Sequence, residues 1–69
     1  MIVHVNGEPL RLPEGATVSA ILERLDLGPP RRGVAVAVDA QVVPRADWDE
    51  RPLADGAHVE LLTAIQGGA

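Results

Sequence analysis

One stretch of this chain of 69 residues has clear helical spacing of its apolar side chains, and it begins after Thr17. Apolar residues recur there at i, i+3, i+4 and i+7, a spacing that places them on one face of an α-helix. Thr17 suits the N-cap of this helix, and Gly28 followed by two prolines suits its end. The predicted apolar face consists of Val18, Ile21, Leu22 and Leu25.

The other apolar runs are short and β-branched or alternating, which is typical of strands. "MIVHV" is the first, and Asn6-Gly7 follows it as a strong signal for a two-residue hairpin turn, because both residues tolerate a positive φ. In the second strand, "EPLRLPEG", Leu10 and Leu12 alternate with polar residues. Pro9 has no N–H to donate, so we expect this strand to lie at a sheet edge.

The second half of the chain adds three predicted strands. "VAVAV" (Val34–Val38) has valines on one face and small alanines on the other. Asp39 and Ala40 can turn the chain into a short strand in "QVVP", and "RADWDERPLADG" holds one helical turn. In the last strand, "AHVELLTAI", Val59 and Leu61 share one face, and the other face consists of His58, Glu60, Leu62 and Ala64.

This order of elements predicts an α+β fold in which one main helix packs on one face of a mixed sheet of four to five strands. The helix joins the second and third strands, and the last strand is free to lie beside the first. That arrangement is the β-grasp, or ubiquitin-like, fold. We expect a β-grasp domain over residues 1–65 and a flexible C-terminal Gly-Gly tail over residues 66–69.

Composition argues against several classes of function. The chain has no cysteine, which rules out disulfides, zinc–thiolate sites, iron–sulfur clusters and a persulfide on the chain itself. The net charge of −4 predicts no binding to nucleic acid and favours a partner with a positive surface. No apolar run approaches the roughly 20 residues that cross a bilayer, and no signal peptide is visible, so we expect a cytoplasmic protein that makes no membrane contact.

The side chains give only weak indications of catalysis. The one serine, Ser19, falls in the first turn of the predicted helix, and His4 and His58 lie in strands without a third metal ligand. We therefore predict no catalytic residue and no metal site. Trp48 suits either the end of the small core or the rim of an interface. The acids of the same segment are expected to form a solvated turn: Asp47, Asp49 and Glu50.

The last strand continues directly towards Gln66-Gly67-Gly68. Glycines have no Cβ and can enter a narrow channel in any backbone conformation, so the terminal carboxylate could be a chemical handle. A carboxylate is a poor electrophile until its oxygen becomes part of a good leaving group, which transfer to AMP achieves. A sulfur nucleophile from another protein could then convert the end to a thiocarboxylate. The alternative interpretation is that the two glycines belong to a flexible C-terminus without a function.

Several segments of the chain resemble the ThiS family, the sulfur carrier proteins of thiazole (thiamine) biosynthesis. They are "NGE", "TVSAILERL", "VAVAVD", "VVPRADW", "LADGAHVELLTAI" and the final "GG", and the resemblance covers essentially the whole chain. The most specific stretch is "VVPRADW", followed by "DG" and the glycine pair. The resemblance implies a protein cosubstrate, not an enzyme, that binds no cofactor itself.

The resemblance also implies partners and a site. A ThiF-type adenylating enzyme would use ATP and Mg²⁺ to activate the carboxylate of Gly68, and a cysteine desulfurase or other sulfur donor would yield the thiocarboxylate. Thiazole synthase would then receive the sulfur. We expect Gln66, Gly67 and Gly68 to form the reactive tail. We also expect an exposed Leu62, together with Ile65, to bind the partner and guide the tail into it.

Ala69 departs from the Gly-Gly end that the family implies. It is either removed by a protease, which exposes Gly68, or it is retained and tolerated. We expect a chain that keeps Ala69 to be a poor adenylation substrate, because its carboxylate is displaced from the position of the glycine carboxylate. Three other functions stay open at this point: a sulfur carrier for molybdopterin or another sulfur-transfer pathway, a ubiquitin-like protein modifier, and an interaction module with an incidental tail.

Overall fold

A computed structural model of the chain describes residues 1–27 and 33–64. Its elements follow the predicted order, and they are β1 (Ile2–Val5), β2 (Glu8–Arg11), α1 (Val18–Arg24), β3 (Val34–Val38), β4 (Gln41–Val42), a 3₁₀ turn (Arg45–Asp47) and β5 (His58–Thr63). The predicted helix stop at Gly28 lies outside the described residues. No helix in the described part is long and apolar enough to cross a bilayer.

The five strands form one mixed sheet in the order β2-β1-β5-β3-β4. The last strand lies beside the first, as predicted, and the two are parallel. β5 is antiparallel to β3 on its other side, and the hairpins β1–β2 and β3–β4 complete the sheet. This is the β-grasp arrangement, so the structure confirms the predicted fold class, with five strands among the described residues.

The first hairpin follows from the chemistry of its turn. Asn6 and Gly7 have φ values of 51° and 86°, and a two-residue turn between antiparallel strands favours such positive values. β2 is an edge strand, as Pro9 predicts. Pro9 lies opposite His4, whose N–H donates away from β2 to the Ala57 oxygen at 2.9 Å. The Pro9 nitrogen therefore faces the open edge, where its missing N–H costs no ladder hydrogen bond.

The core lies between α1 and one face of the sheet. Strands contribute every second side chain to it, as a period of two requires. The valines of β3 face this core or border it, and its alanines face away, as predicted. The buried apolar residues of helix and strands are Val18, Ile21, Leu22, Val3, Val5, Val36, Val38, Val59 and Leu61.

The structure corrects one residue of the predicted helix. Leu25 does not belong to the buried apolar face, because 42% of it is exposed. The helix ends at Arg24, and Leu25 takes the C-cap position before Asp26 turns the chain with a φ of 62°. Thr17 occupies the predicted N-cap position, although its side chain makes no capping hydrogen bond.

The segment after β4 closes one end of the core. Trp48 is only 3% exposed, and its Nε1–H donates to the Val43 oxygen at 2.9 Å. The Ser19 N–H donates to the Trp48 oxygen at 3.0 Å, and Ser19 Oγ donates to the Asp49 carboxylate. This segment is therefore tied to the start of α1. Trp48 is a core residue and not part of an interface rim, and Asp49 is a structural acceptor as well as an exposed acid.

Candidate functional site

The predicted site begins where β5 ends. Ala64 follows β5 and is the last described residue. The predicted site residues Ile65, Gln66, Gly67 and Gly68 lie outside the described residues, so their roles stay predictions, as does the domain boundary at residue 65. The structure describes the strand that leads to them and the surface beside that strand.

β5 presents different chemistry on its two faces. Val59 and Leu61 are buried against α1, whereas Glu60 and Leu62 are exposed on the opposite side of the sheet. Leu62 is 70% exposed, so the alternation in the sequence correctly predicts its outward position. A single exposed leucine is ordinary in a folded protein, and its neighbours decide whether it marks a binding surface.

Those neighbours make Leu62 part of an apolar patch. Leu62 pairs with Ala35 of β3, and Ala37 of the same strand pairs with Val42 of β4. Val42 is 76% exposed. Because alanine side chains are small, a shallow groove runs over them between Leu62 and Val42, and Glu60 contributes its one charged side chain. We call these five residues the open-face patch: Ala35, Ala37, Val42, Glu60 and Leu62.

Sequence reasoning placed Val42 in a short strand but did not identify it as a surface residue of the site. The signal was present in the turn at Asp39 and Ala40, whose φ values are 48° and 71°. A two-residue turn fixes the register of its hairpin, and this register puts Val42 on the alanine face of β3. The open-face patch then has an apolar centre with a polar side, which is the usual composition of a protein-binding surface.

The end of β5 is held on both flanks. On the β1 side, Asn6 Nδ2 donates to the Leu61 oxygen at 3.0 Å, and the Leu61 N–H donates to Asn6 Oδ1 at 2.9 Å. On the β3 side, the Ala64 N–H donates to the Gly33 oxygen at 2.7 Å. β5 and Ala64 are therefore anchored to the structure on both sides. The sequence pattern predicted only a turn at Asn6 and no role for Gly33.

His4 and His58 meet on the open side of the sheet. Their rings stack with centroids 5.2 Å apart and planes 20° apart, as their opposite positions on β1 and β5 allow. Within residues 1–27 and 33–64, no group of three or more His, Asp and Glu side chains could hold a metal ion. The histidine pair is a cross-strand contact between β1 and β5.

Several known proteins are similar to this chain over nearly its whole length. The model of the ThiS family matches residues 3–68. The sulfur carrier protein ThiS of Escherichia coli is 34% identical over 68 residues, which make up 99% of this chain and 100% of that protein. The sulfur carrier protein ThiS of Thermus thermophilus is 39% identical over 67 residues, or 97% and 100% of the two chains. The crystal structure of the thiamine biosynthesis protein ThiS from Geobacter metallireducens has a TM-score of 0.77 and 30% identity, and the match covers 99% of this chain and 100% of that one.

Proposed function

This chain belongs to the ThiS family of sulfur carrier proteins of thiamine biosynthesis, and on that basis we propose that it carries sulfur as a thiocarboxylate on Gly68. The observation that carries the proposal is the match to the family model, which extends to Gly68 and stops before Ala69. The absence of cysteine from the sequence agrees with it, because sulfur held at the backbone end needs no thiol side chain.

The proposed chemistry activates a carboxylate in two steps. A carboxylate oxygen of Gly68 attacks the α-phosphorus of ATP, pyrophosphate leaves, and the chain becomes an acyl-adenylate. A sulfur nucleophile then attacks the acyl carbon and AMP leaves. Where the nucleophile is a persulfide, this gives an acyl disulfide; a thiol of the donor system then cleaves its S–S bond, which leaves the thiocarboxylate on the chain and a disulfide on the donor side. ATP and Mg²⁺ act in the ThiF-type adenylating enzyme, and a cysteine desulfurase or other donor supplies the sulfur. The chain is a cosubstrate that delivers this sulfur to thiazole synthase.

The open-face patch is the proposed docking surface for the adenylating enzyme. Leu62 and Val42 supply exposed apolar area, and the two alanines between them let a partner side chain approach the sheet closely. Apolar anchors at the centre of an interface commonly carry most of the binding free energy. Leu62 precedes Ala64 by two residues, so a partner that covers it also receives the chain that follows. The net charge of −4 favours a basic rim on that partner.

Measurement of intact mass tests the proposal. The chain is incubated with ATP, Mg²⁺, the adenylating enzyme and a sulfur source. We expect the mass to rise by the difference between one sulfur and one oxygen atom, and fragmentation should locate the change at the C-terminal residue. Two forms are compared, the full chain and a form that ends at Gly68. The second should react faster, because its carboxylate belongs to the glycine.

A form that ends at Gly67 is the matched control. Sulfur incorporation into this control, or no incorporation into any form with any donor, would contradict the assignment to Gly68. Equal pyrophosphate-exchange rates with and without Ala69 would refute the removal of Ala69, and they would also contradict the assignment to Gly68, which has no free carboxylate while Ala69 is attached. Transfer of the sulfur to thiazole synthase, but not to molybdopterin synthase, is the result expected for the thiamine pathway. Conjugates of higher mass in a cell extract would indicate a protein modifier instead.

A further inference from the structure

Gly33 lies closer to a neighbouring segment than the other described glycines do. Its φ is +71°, and a Cβ placed on it would lie 2.9 Å from the Cβ of Ala64. Carbon atoms in contact sit about 3.5–4.0 Å apart, so any side chain at position 33 would push Ala64 away. Gly7, Gly15 and Gly56 also have positive φ, yet a Cβ on any of them would meet nothing within 4 Å. Gly33 therefore has a packing requirement in addition to a conformational one.

Ala64 connects the sheet to the residues that follow it. Its N–H donates to the Gly33 oxygen at 2.7 Å, and the preceding residue, Thr63, pairs with Val34. Gly68 is four residues further along the chain. Its Cα therefore lies within about 14 Å of that of Ala64, whatever the conformation between them. When a partner holds the open-face patch and draws these four residues out to near their full length, the connection has no slack to absorb a displacement of Ala64, which then moves the reacting carboxylate.

We propose that Gly33 is a positioning residue for the adenylation of Gly68, an inference that rests on the proposed function. Because Gly33 has no side chain, Ala64 stays against it, at a fixed distance from Leu62. A methyl group at position 33 displaces Ala64 by about 0.6–1.1 Å, the difference between 2.9 Å and ordinary carbon contact. Misplacement of reacting atoms by about 1 Å can lower a rate about 100-fold.

The substitution Gly33→Ala tests this role in the form of the chain that ends at Gly68, whose carboxylate is free to react. Pyrophosphate exchange at varied carrier concentration gives kcat and KM separately. We expect kcat to fall about 10- to 100-fold. KM should stay within about two-fold of its original value, because the open-face patch that binds the enzyme is unchanged.

Gly15→Ala is the matched control for backbone strain. Gly15 has a φ of +82°, and a Cβ there would meet nothing within 4 Å. Both variants should therefore have a lower Tm, because alanine is strained at a positive φ. Only Gly33→Ala should also have a lower kcat. A role limited to stability would lower Tm without lowering kcat at saturating carrier.

The double variant Gly33→Ala/Ala64→Gly supplies a rescue. It removes the Cβ of Ala64, after which the nearest atoms to the new methyl group are the backbone N at 3.5 Å and Cα at 3.7 Å, both ordinary contacts. We expect it to recover most of the lost kcat. Equal kcat in Gly33→Ala and Gly15→Ala would overturn the positioning role, and so would a double variant as slow as Gly33→Ala.

The unaltered chain separates failure of this inference from failure of the proposed function. If neither of its forms supports pyrophosphate exchange, the proposed function fails and the role of Gly33 fails with it. If the unaltered chain is active while the outcomes above go against Gly33, only the positioning role is overturned.

Discussion

Replacing Asn6 with glycine would remove both side-chain hydrogen bonds to Leu61 and leave the backbone of the turn undisturbed. Asn6 has a φ of 51°, which glycine adopts without a steric penalty. The N–H and C=O of Leu61 both face β1, because Asn6 bonds to each of them. β1 has already ended at Val5 at this level of the sheet. The side chain of Asn6 thus takes the place of a strand backbone.

The expected loss of stability follows from these two bonds. A hydrogen bond contributes about 0.5–1.5 kcal/mol net, so losing both lowers the free energy of unfolding by about 1–3 kcal/mol. A domain of this length is stable by roughly 3–10 kcal/mol in total, so the loss is a large fraction of it. Each kcal/mol corresponds to about 4–8 °C in Tm. Asn6→Ala should be less stable still, because a left-handed conformation costs alanine about 1–2 kcal/mol.

Urea unfolding gives the change in free energy, and Ala40→Gly is its matched control. Ala40 has a φ of 71° in the β3–β4 turn, so glycine there changes the backbone preference without removing a side-chain hydrogen bond. Hydrogen exchange adds a local measurement. The Leu61 amide should exchange faster in Asn6→Gly, whereas the amide of Leu62, which faces β3, should keep most of its protection.

Equal stability of Asn6→Gly and Ala40→Gly would refute this account of Asn6. Unchanged protection of the Leu61 amide would refute it as well. Either result would mean that water satisfies the two backbone groups of Leu61 as well as the asparagine side chain does.

Ile21→Ala should lower the free energy of unfolding by about 2–5 kcal/mol, because Ile21 is completely buried and the site cannot fully collapse; a smaller loss in urea unfolding would contradict its place in the core. Trp48→Phe should lower the free energy of unfolding by about 1–3 kcal/mol, because the buried Val43 oxygen loses the N–H that donates to it at 2.9 Å. Thermal unfolding measures this loss. Leu62→Ser should weaken binding to the adenylating enzyme about 10-fold or more in calorimetry, with little change in Tm. Ile2→Ser, on the same face but at the far end of the sheet, is its control, and equal effects of the two would argue against the docking role.

Side-chain alternation and helical spacing predicted most of the fold, because these patterns decide which face of an element can be buried. The valines and alanines of β3 separate onto the two faces as expected. Leu25 shows the limit of this reasoning. It has helical spacing, but a positive φ at Asp26 turns the chain just after it and leaves it exposed. That turn is not part of any apolar pattern.

Within the candidate site, local sequence patterns predicted the position of some residues and not of others. The exposure of Leu62 follows from alternation alone, and Val42 could have been found from the register of its hairpin. Asn6 and Gly33 could not, because their contacts are with Leu61 and Ala64, which are distant in the chain and approach only when β5 enters the sheet. The role of Gly68 stays a prediction from the resemblance and from its chemistry.

Pro9 has a consequence for how molecules of this protein meet one another. Strands can pair between molecules when one molecule offers an open sheet edge and another offers an extended segment. Here the C-terminal segment follows the central strand in the sequence and could act as that segment. Head-to-tail contacts of that kind do not close on themselves and can grow into filaments. Pro9 removes a donor from one edge of this sheet, and β4, with two residues, leaves little of the other edge to pair with. Pairing of strands between molecules is thereby disfavoured at both edges of the sheet.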